Sequence, residues 1–172
     1  NNEEAVGRGI RRSGLPREDR FIVTKGYVQQ MGYERVRQAF EESLAKLGLD
    51  YLDLYLIHMP FGDYYGAWRG MEELLQEGKV RAIGVSNFYG SRLADFCLNV
   101  SVIPAINQLE LHPFFQRGDE LQLMKEYGIH AQAWSPFAEG LNGLFSHPVL
   151  ESIAKRHNKS IAQVVLRWNI QR

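Results

Sequence analysis

Two basic side chains end apolar segments of this 172-residue sequence, and both could act on a polarised oxygen. Lys25 ends the segment FIVTK, and His58 ends the segment YLDLYLIH. Because side chains alternate between the two faces of a strand, Lys25 shares a face with Val23 and His58 shares one with Leu56. If both faces line one interior, an ammonium group lies beside an imidazole. That pair suits the stabilisation of negative charge on a carbonyl oxygen, or the lowering of the pKa of a phenol.

Lys25 and His58 each have a simpler interpretation when taken alone. A lysine at a strand end usually extends its ammonium group into solvent over an apolar stem, and a histidine there is more often a hydrogen-bonded core residue. A buried lysine without a carboxylate partner is costly, and Asp53 alternates to the opposite face of its strand. We therefore expect the carboxylate partner of Lys25 to lie outside these 172 residues.

The elements that must position these side chains alternate strictly along the chain. Apolar runs predict strands at 21–25, 51–58, 80–88, 103–111 and 129–137. Helical periodicity and stop signals predict helices at 33–48, 65–79, 90–100, 119–128, 148–158 and 160–171. Gly48 is the predicted stop of the first of these helices, whose predicted apolar face holds Val36, Ala39, Phe40, Ser43, Leu44 and Leu47. Strands that alternate with helices in this way are expected to be parallel, with right-handed crossovers. The strands are apolar throughout, so we expect both faces of the sheet to be covered.

Parallel strands covered on both faces fit either a TIM barrel or a doubly wound sheet, and the position of the polar residues favours the barrel. They fall at the carboxyl ends of successive strands, which is typical of a (β/α)8 TIM barrel; they are Lys25, His58, Ser86–Asn87, Gln108–Glu110 and Trp134–Ser135. A doubly wound sheet would instead have a glycine-rich phosphate loop after its first strand. A barrel needs eight strands, so residues 1–172 are expected to form one domain that is the central part of a barrel.

Composition excludes several classes of protein. Twenty Lys and Arg residues balance twenty Asp and Glu residues, so nucleic acid is not an expected partner. No apolar run approaches the roughly 18–20 residues of a membrane-spanning helix. A single cysteine, Cys97, excludes an internal disulfide and fits a reducing compartment, which predicts a cytoplasmic location. No metal site is predicted, because His58 and His112 are candidate ligands without an evident third.

Five motifs give the chain a resemblance to the aldo-keto reductase superfamily, whose members are NAD(P)H-dependent carbonyl reductases on a TIM barrel. The likeness covers nearly the whole chain in order and spacing. The motifs are FIVTK (21–25), DYLDLYLIHMP (50–60), MEELLQEGKVRAIGVSNF (71–88), NQLELHP (107–113) and AWSP (133–136).

The resemblance implies a role for each matching residue. Lys25 and His58 match two members of the family's Asp-Tyr-Lys-His tetrad, in which the tyrosine is the general acid, the lysine lowers its pKa and the histidine orients the substrate carbonyl. The Asp and Tyr are expected before Asn1. The implied cofactor residues are Ser86, Asn87 and Gln108 at the nicotinamide carboxamide, Trp134 against its ring, and Ser135, Pro136, Phe137 and Leu141 along the pyrophosphate. Tyr27, Met59 and His58 match positions that line the substrate pocket.

The function implied by the resemblance is reduction of a small aldehyde or ketone with NADP, and NAD is the less favoured cofactor. The preference for NADP rests on the family alone, since the segment that grips its 2′-phosphate would follow Arg172. The alternative is a catalytically inactive, nicotinamide-binding regulatory or structural member. Residues 1–172 alone are expected to be inactive, and the complete protein is expected to be a monomer without nucleic-acid or membrane partners.

Overall fold

Five short parallel strands form one sheet in the computed structural model, which describes residues 2–172. The strands lie side by side in chain order, and each is hydrogen-bonded to the next. Lys25 pairs with Leu56 in the first ladder, and Ser86 pairs with Gln108 in the third. The strands are β1 (Val23–Gly26), β2 (Leu54–Ile57), β3 (Ile83–Ser86), β4 (Ile106–Glu110) and β5 (His130–Trp134).

Helices connect the strands, as parallel pairing requires. One helix precedes β1, one lies between each pair of successive strands, and two follow β5. They are α1 (Glu3–Arg12), α2 (Tyr33–Leu47), α3 (Tyr64–Gln76), α4 (Gly90–Leu98), α5 (Gly118–Glu126), α6 (Pro148–His157) and α7 (Ile161–Ile170). Every predicted strand and helix is present, with ends that differ by at most three residues from the prediction.

The outer face of the sheet is packed beneath the helices. The predicted apolar face of α2 is the face that is buried, and the ring of Phe40 meets that of Tyr55 edge-on at 5.1 Å between centroids. Gly48 ends this helix with a left-handed φ of 68°, which a residue without a Cβ adopts at little cost. The buried residues of α2 are Val36, Ala39, Phe40, Ser43, Leu44 and Leu47.

The inner face of the sheet carries the side chains of the opposite phase. Leu54 and Leu56 are fully buried there, out of phase with Tyr55 and Ile57. A Cβ on Gly84 would lie 2.6 Å from the Ile106 carbonyl oxygen, so glycine permits the close approach of β3 to β4. Lys25 and Gln108 belong to the same inner face. The candidate site therefore lies on the inner side of the sheet.

The apolar strands predicted that both faces of the sheet would be covered. The start of β5 departs from that prediction. His130 and Ala131 are exposed, because β5 is an edge strand of the sheet in residues 2–172. None of the helices in the same residues combines the length and the apolar character needed to cross a membrane.

A buried carboxylate ties the amino-terminal ends of the first strands together. Asp53 is 1% exposed and contacts Arg17 at 2.8 Å and Arg81 at 3.1 Å. It also accepts a hydrogen bond from the Ile22 backbone N–H at 2.8 Å. Burial alone would raise the pKa of Asp53, but the Ile22 N–H and the two guanidinium groups outweigh it and hold that pKa below its usual value. As expected from alternation, Asp53 is not a partner of Lys25.

Candidate active site

Lys25 and His58 lie on neighbouring parallel strands at the carboxyl end of the sheet. The backbone N–H of His58 donates to the Gly26 carbonyl oxygen at 3.0 Å, directly after the ladder of β1 and β2. Both residues are half-buried and line one cavity of about 630 Å³, together with Tyr27 and Gln30. The structure thus brings the ammonium group and the imidazole into one cavity, as expected if both strand faces line one interior.

The surroundings of this pair favour the neutral imidazole. Burial lowers the pKa of His58, and the positive charge of Lys25 lowers it further. Burial also lowers the pKa of Lys25. Among residues 2–172 no carboxylate forms an ion pair with Lys25 within 4.0 Å. At neutral pH the His58 ring is therefore uncharged and can donate one hydrogen bond.

The ammonium group of Lys25 reaches across the sheet to an amide. Its Nζ donates to Gln108 Oε1 at 2.5 Å, and Gln108 Nε2 donates in turn to Gln132 Oε1 at 2.6 Å. β2 and β3 lie between β1 and β4 in the sheet, so this contact spans the concave inner side. The curvature of the sheet brings together residues that are 83 positions apart in the sequence.

Asn87 connects the ends of β2, β3 and β4. It has a left-handed φ of 64°, which asparagine tolerates better than most residues. Its backbone N–H donates to the Gln108 carbonyl oxygen at 3.0 Å, and its Nδ2 donates to the His58 carbonyl oxygen at 3.2 Å. The carboxamide of Asn87 is thereby held next to His58.

The amide oxygen of Asn87 anchors two aromatic residues. Trp134 Nε1 donates to Asn87 Oδ1 at 2.9 Å, and the Tyr89 hydroxyl donates to the same oxygen at 3.0 Å. The guanidinium group of Arg117 lies 4.5 Å from the centre of the Tyr89 ring. The half-buried indole is therefore fixed at its N–H edge, and a part of its surface faces solvent.

Ser86 lies beneath Asn87 and is fully buried. Its hydroxyl donates to the Gln108 carbonyl oxygen at 2.9 Å and accepts from Asn87 Nδ2 at 3.1 Å. In this arrangement Ser86 supports the two amide-bearing residues, and direct contact between its hydroxyl and a ligand stays a prediction.

The loop after β5 turns sharply away from the sheet. Ser135 has a φ of 49°, and two short 3₁₀ turns follow at Ala138–Gly140 and Leu144–Ser146. Pro136 and Phe137 are half-buried, whereas Leu141 is 59% exposed. The predicted pyrophosphate residues therefore form one continuous segment that begins beside Trp134.

Tyr27 and Met59, the predicted pocket residues, flank His58 on two sides. The ring of Tyr27 lies 5.4 Å from that of His58, and the tyrosine is 51% exposed. Met59 directly follows His58, and its sulfur lies 3.1 Å from Asn87 Nδ2. An aromatic ring and a polarisable thioether thus border the imidazole.

His112 belongs to a different environment from the cavity of Lys25. It is buried beside Glu110, with 3.3 Å between Nε2 and Oε1. Within residues 2–172, no three His, Cys, Asp or Glu side chains are grouped so that they could hold a metal ion.

Two residues of the polar cluster were not predicted from the sequence. Gln132 and Tyr89 contact Gln108 and Asn87 through side chains. Strand alternation could have indicated Gln132, because it lies two residues before Trp134 and so shares its face. No local pattern indicates Tyr89, whose hydroxyl reaches back from the residue before α4.

The family model that matches this chain is that of the Aldo/keto reductase family, over residues 1–172. Glyoxal reductase of Bacillus subtilis (strain 168) is 47% identical over 171 residues, covering 99% of this chain and 61% of that protein. The crystal structure of an aldo-keto reductase enzyme from a Medee basin deep-sea metagenome library matches with a TM-score of 0.95 and 41% identity. That match covers 99% of this chain and 64% of the other.

A cofactor complex is also among the similar structures. The Bombyx mori aldo-keto reductase in complex with NADP matches with a TM-score of 0.93 and 35% identity, over 99% of this chain and 62% of the other. The chain belongs to the Aldo/keto reductase family. It contains five parallel strands of the family's (β/α)8 barrel, and it spans about 62% of the length of the curated relatives it matches.

Proposed function

We propose that the protein containing this chain is a carbonyl reductase that converts small aldehydes or ketones to alcohols with NADP(H). The observation that carries the proposal is the placement of Lys25 and His58 in one cavity at the carboxyl ends of adjacent strands. Membership of the Aldo/keto reductase family and the similarity to glyoxal reductase support the same reaction class.

The residues at the ends of the next three strands fit a nicotinamide cofactor. Gln108 retains one donor and one acceptor position beyond its contacts with Lys25 and Gln132, and these two complement a carboxamide. Asn87 has the same two groups but would have to release one of its present contacts to bind it. Trp134 offers a flat apolar surface for an aromatic ring, and its N–H is already satisfied by Asn87. We assign Ser86, Asn87, Gln108 and Trp134 to the nicotinamide end, and Ser135, Pro136, Phe137 and Leu141 to the pyrophosphate. A bound dinucleotide would supply the hydride.

Lys25 and His58 act at the oxygen of the substrate carbonyl. The neutral His58 ring donates a hydrogen bond to that oxygen, which orients the carbonyl group. The ammonium charge of Lys25 stabilises negative charge that develops beside it. Among residues 2–172 no tyrosine hydroxyl is hydrogen-bonded to either side chain. The proton donor is the tyrosine that the family resemblance implies outside this chain.

Tyr27 and Met59 form the substrate pocket around His58. Both are placed to contact a substrate bound at the imidazole, and a flexible thioether adapts to substrates of different shape. The choice of NADP over NAD is supported by the complex of the Bombyx mori relative. We also propose that the protein is a cytoplasmic monomer, and the buried, unpaired thiol of Cys97 fits the cytoplasmic location. Cell fractionation tests the location, and size-exclusion chromatography tests the oligomeric state.

The test is steady-state turnover by the full-length protein. NADPH and NADH are each mixed with a panel of small aldehydes and ketones that includes glyoxal, and loss of the reduced cofactor is followed by absorbance. Turnover that is faster with NADPH and that disappears in Lys25→Met supports the proposal. NADPH binding without turnover of any carbonyl would contradict it, and would favour the regulatory or structural alternative.

A further inference from the structure

Tyr89 connects the start of α4 to the polar cluster at the end of β3. It directly precedes the helix, and its hydroxyl reaches back two residues to donate to Asn87 Oδ1 at 3.0 Å. The indole N–H of Trp134 donates to the same oxygen at 2.9 Å. One amide oxygen therefore accepts from donors on two different loops, which occupies both of its lone pairs.

The ring of Tyr89 is held in turn by a cation from the next loop. The guanidinium group of Arg117 lies 4.5 Å from the centre of the Tyr89 ring and 3.7 Å from that of Phe115. Arg117 Nε donates to the Glu110 carbonyl oxygen at 3.3 Å, and the side chain is 16% exposed. Because a cation is attracted to an aromatic face, Arg117 fixes the ring of Tyr89 and with it the position of the hydroxyl.

The phenol of Tyr89 is a neutral donor. Burial raises its pKa, and the positive charge of Arg117 lowers it by less, so the hydroxyl keeps its proton near neutral pH. The amide oxygen of Asn87 can only accept, and the hydroxyl therefore donates to it. Nδ2 of the same amide donates to the His58 carbonyl oxygen at 3.2 Å, so both ends of the amide are tied.

These contacts lie away from the open edges of the sheet. Asn87 and Tyr89 follow β3, which has two strands on each side. Arg117 reaches Tyr89 from the loop after β4, the adjacent strand. The further strands of a (β/α)8 barrel join at β1 and β5. The links from Arg117 to Tyr89 and from Tyr89 to Asn87 therefore belong to the interior of the sheet.

The two donors at Asn87 Oδ1 do more together than either does alone. A single hydrogen bond lets the amide and the indole pivot about the line that joins them. A second donor, at a fixed position, removes that freedom and holds the oxygen at one point. Without the Tyr89 hydroxyl, the indole of Trp134 keeps its acceptor but loses part of the restraint on its plane. The cost appears when a ligand binds, because the ring must then be ordered.

We propose that Tyr89 is a positioning residue of the cofactor site and that Arg117 holds it in place. Through Asn87 it fixes the plane of the Trp134 ring against which a nicotinamide stacks. The inference rests on the proposed function for the identity of the ligand. The control of Trp134 by Tyr89 rests on the contacts of the cluster alone.

Two substitutions separate the role of the hydroxyl from that of the cation. Tyr89→Phe removes the donor and keeps the ring. Arg117→Met keeps a long side chain beside the rings and removes the positive charge. Tyr65→Phe is the matched control, because Tyr65 is also half-buried and its hydroxyl donates to Asp95 on α4, outside the candidate site.

The first measurement uses the full-length protein without cofactor. The indole N–H signal of Trp134 is assigned in a ¹H–¹⁵N spectrum with Trp134→Phe, and its exchange with solvent is followed. We expect exchange about threefold faster in Tyr89→Phe, the loss of part of one hydrogen bond, a smaller increase in Arg117→Met and none in the control. The indole N–H of Trp68, which donates to the Val102 carbonyl oxygen, should exchange as in wild type. Unchanged exchange at Trp134, or an equal increase at Trp68, overturns the inference.

The second measurement compares two ligands in the full-length protein. Dissociation constants are determined for NADPH and for 2′-phospho-ADP-ribose, which lacks the nicotinamide. We expect Tyr89→Phe to weaken NADPH binding about 3- to 10-fold and to leave 2′-phospho-ADP-ribose within about twofold of wild type. Tyr65→Phe should bind both ligands as wild type does.

Each other outcome of the binding experiment has a definite meaning. An equal loss for both ligands in Tyr89→Phe, or no loss for either, overturns the role of Tyr89 in the cofactor site. Tighter binding of NADPH also overturns it, and would show that the hydroxyl competes with the carboxamide for Asn87. If exchange at Trp134 follows the expected order but wild type binds no NADPH, the proposed function fails and the control of Trp134 by Tyr89 stands.

Discussion

Trp134 donates its indole N–H to Asn87 Oδ1 at 2.9 Å, although their strands, β5 and β3, are not neighbours in the sheet. β4 lies between them, so the contact bridges one strand. It depends on the inward curvature of the sheet and on the left-handed backbone that directs Asn87 inward. The bond fixes the plane of the indole, and with it the surface that an aromatic ligand would meet.

Trp134→Phe tests this bond. The substitution keeps a flat apolar ring but removes the donor to Asn87, which retains the Tyr89 hydroxyl. We expect NADPH binding by the full-length protein to weaken by about 1 kcal/mol, because the ring is no longer held in plane. Calorimetry measures the change. Trp168→Phe, on α7, is the control, and an equal loss in that variant would argue against the assignment.

Gln108→Leu removes the amide that accepts from Lys25 Nζ and donates to Gln132 Oε1. We expect a loss of cofactor affinity of about 1–3 kcal/mol, because hydrogen bonds are lost and buried partners are left unsatisfied. Lys25 loses one hydrogen bond at the same time. Equilibrium binding of NADPH to the full-length protein is the measurement, with Gln122→Leu, at an exposed position on α5, as the control. Unchanged affinity would remove Gln108 from the cofactor site.

His58 should make stability depend on pH. Burial and the charge of Lys25 lower its pKa in the folded state from the ordinary 6.5. The unfolded chain therefore binds the proton more readily, and stability falls as the pH drops below about 6.5 toward the lowered value. Denaturant unfolding from pH 8 to pH 5 should show a loss in wild type that is smaller in His58→Gln. His130→Gln, at an exposed position, should follow wild type, and parallel curves for wild type and His58→Gln would contradict the effect.

Asp53 should contribute strongly to stability. Asp53→Asn keeps the shape of the side chain but removes the charge that faces Arg17 and Arg81. We expect the free energy of unfolding to fall by about 1–3 kcal/mol at neutral pH. Because the folded pKa lies below the ordinary 3.8, this contribution is present above that pH and is lost as the pH falls through the folded value.

Asp19→Asn, at an exposed acidic position nearby in sequence, serves as the control for Asp53 and should change the unfolding free energy little. Chemical denaturation measures both variants. An equal effect of the two substitutions would show that the buried cluster does not stabilise the fold.

Residues 1–172 expressed alone should not reduce a carbonyl compound measurably. Lys25 and His58 can orient the carbonyl and stabilise charge on it, but residues 2–172 place no phenol in hydrogen bonding with either. General acid catalysis is worth about 10²–10⁴ in rate. The assay mixes the purified chain with NADPH and a reactive aldehyde. Turnover near that of the full-length protein would show that another group supplies the proton, and Tyr27 is the first to substitute because its ring is the nearest to His58.

Local patterns in the sequence determined the elements and the phase of the side chains on them. The buried face of α2 is the predicted one, and Gly48 ends that helix as its position indicated. Alternation put Lys25 on the face of Val23 and His58 on the face of Leu56, the family resemblance favoured one shared interior, and the structure puts both side chains in one cavity. These predictions succeed because helical and strand periodicity are properties of a few consecutive residues.

The tertiary structure decided which distant side chains meet. The contacts of Lys25 with Gln108 and of Trp134 with Asn87 join strands that are not neighbours, and each requires the sheet to be curved. Curvature is the sum of small twists between successive strands and of the packing of helices against them, so no single segment encodes it. The sequence by itself could supply Gln132 as a residue facing the same way as Trp134. That its amide meets Gln108, which in turn meets Lys25, depends on the closeness of three strands, which only the folded chain establishes.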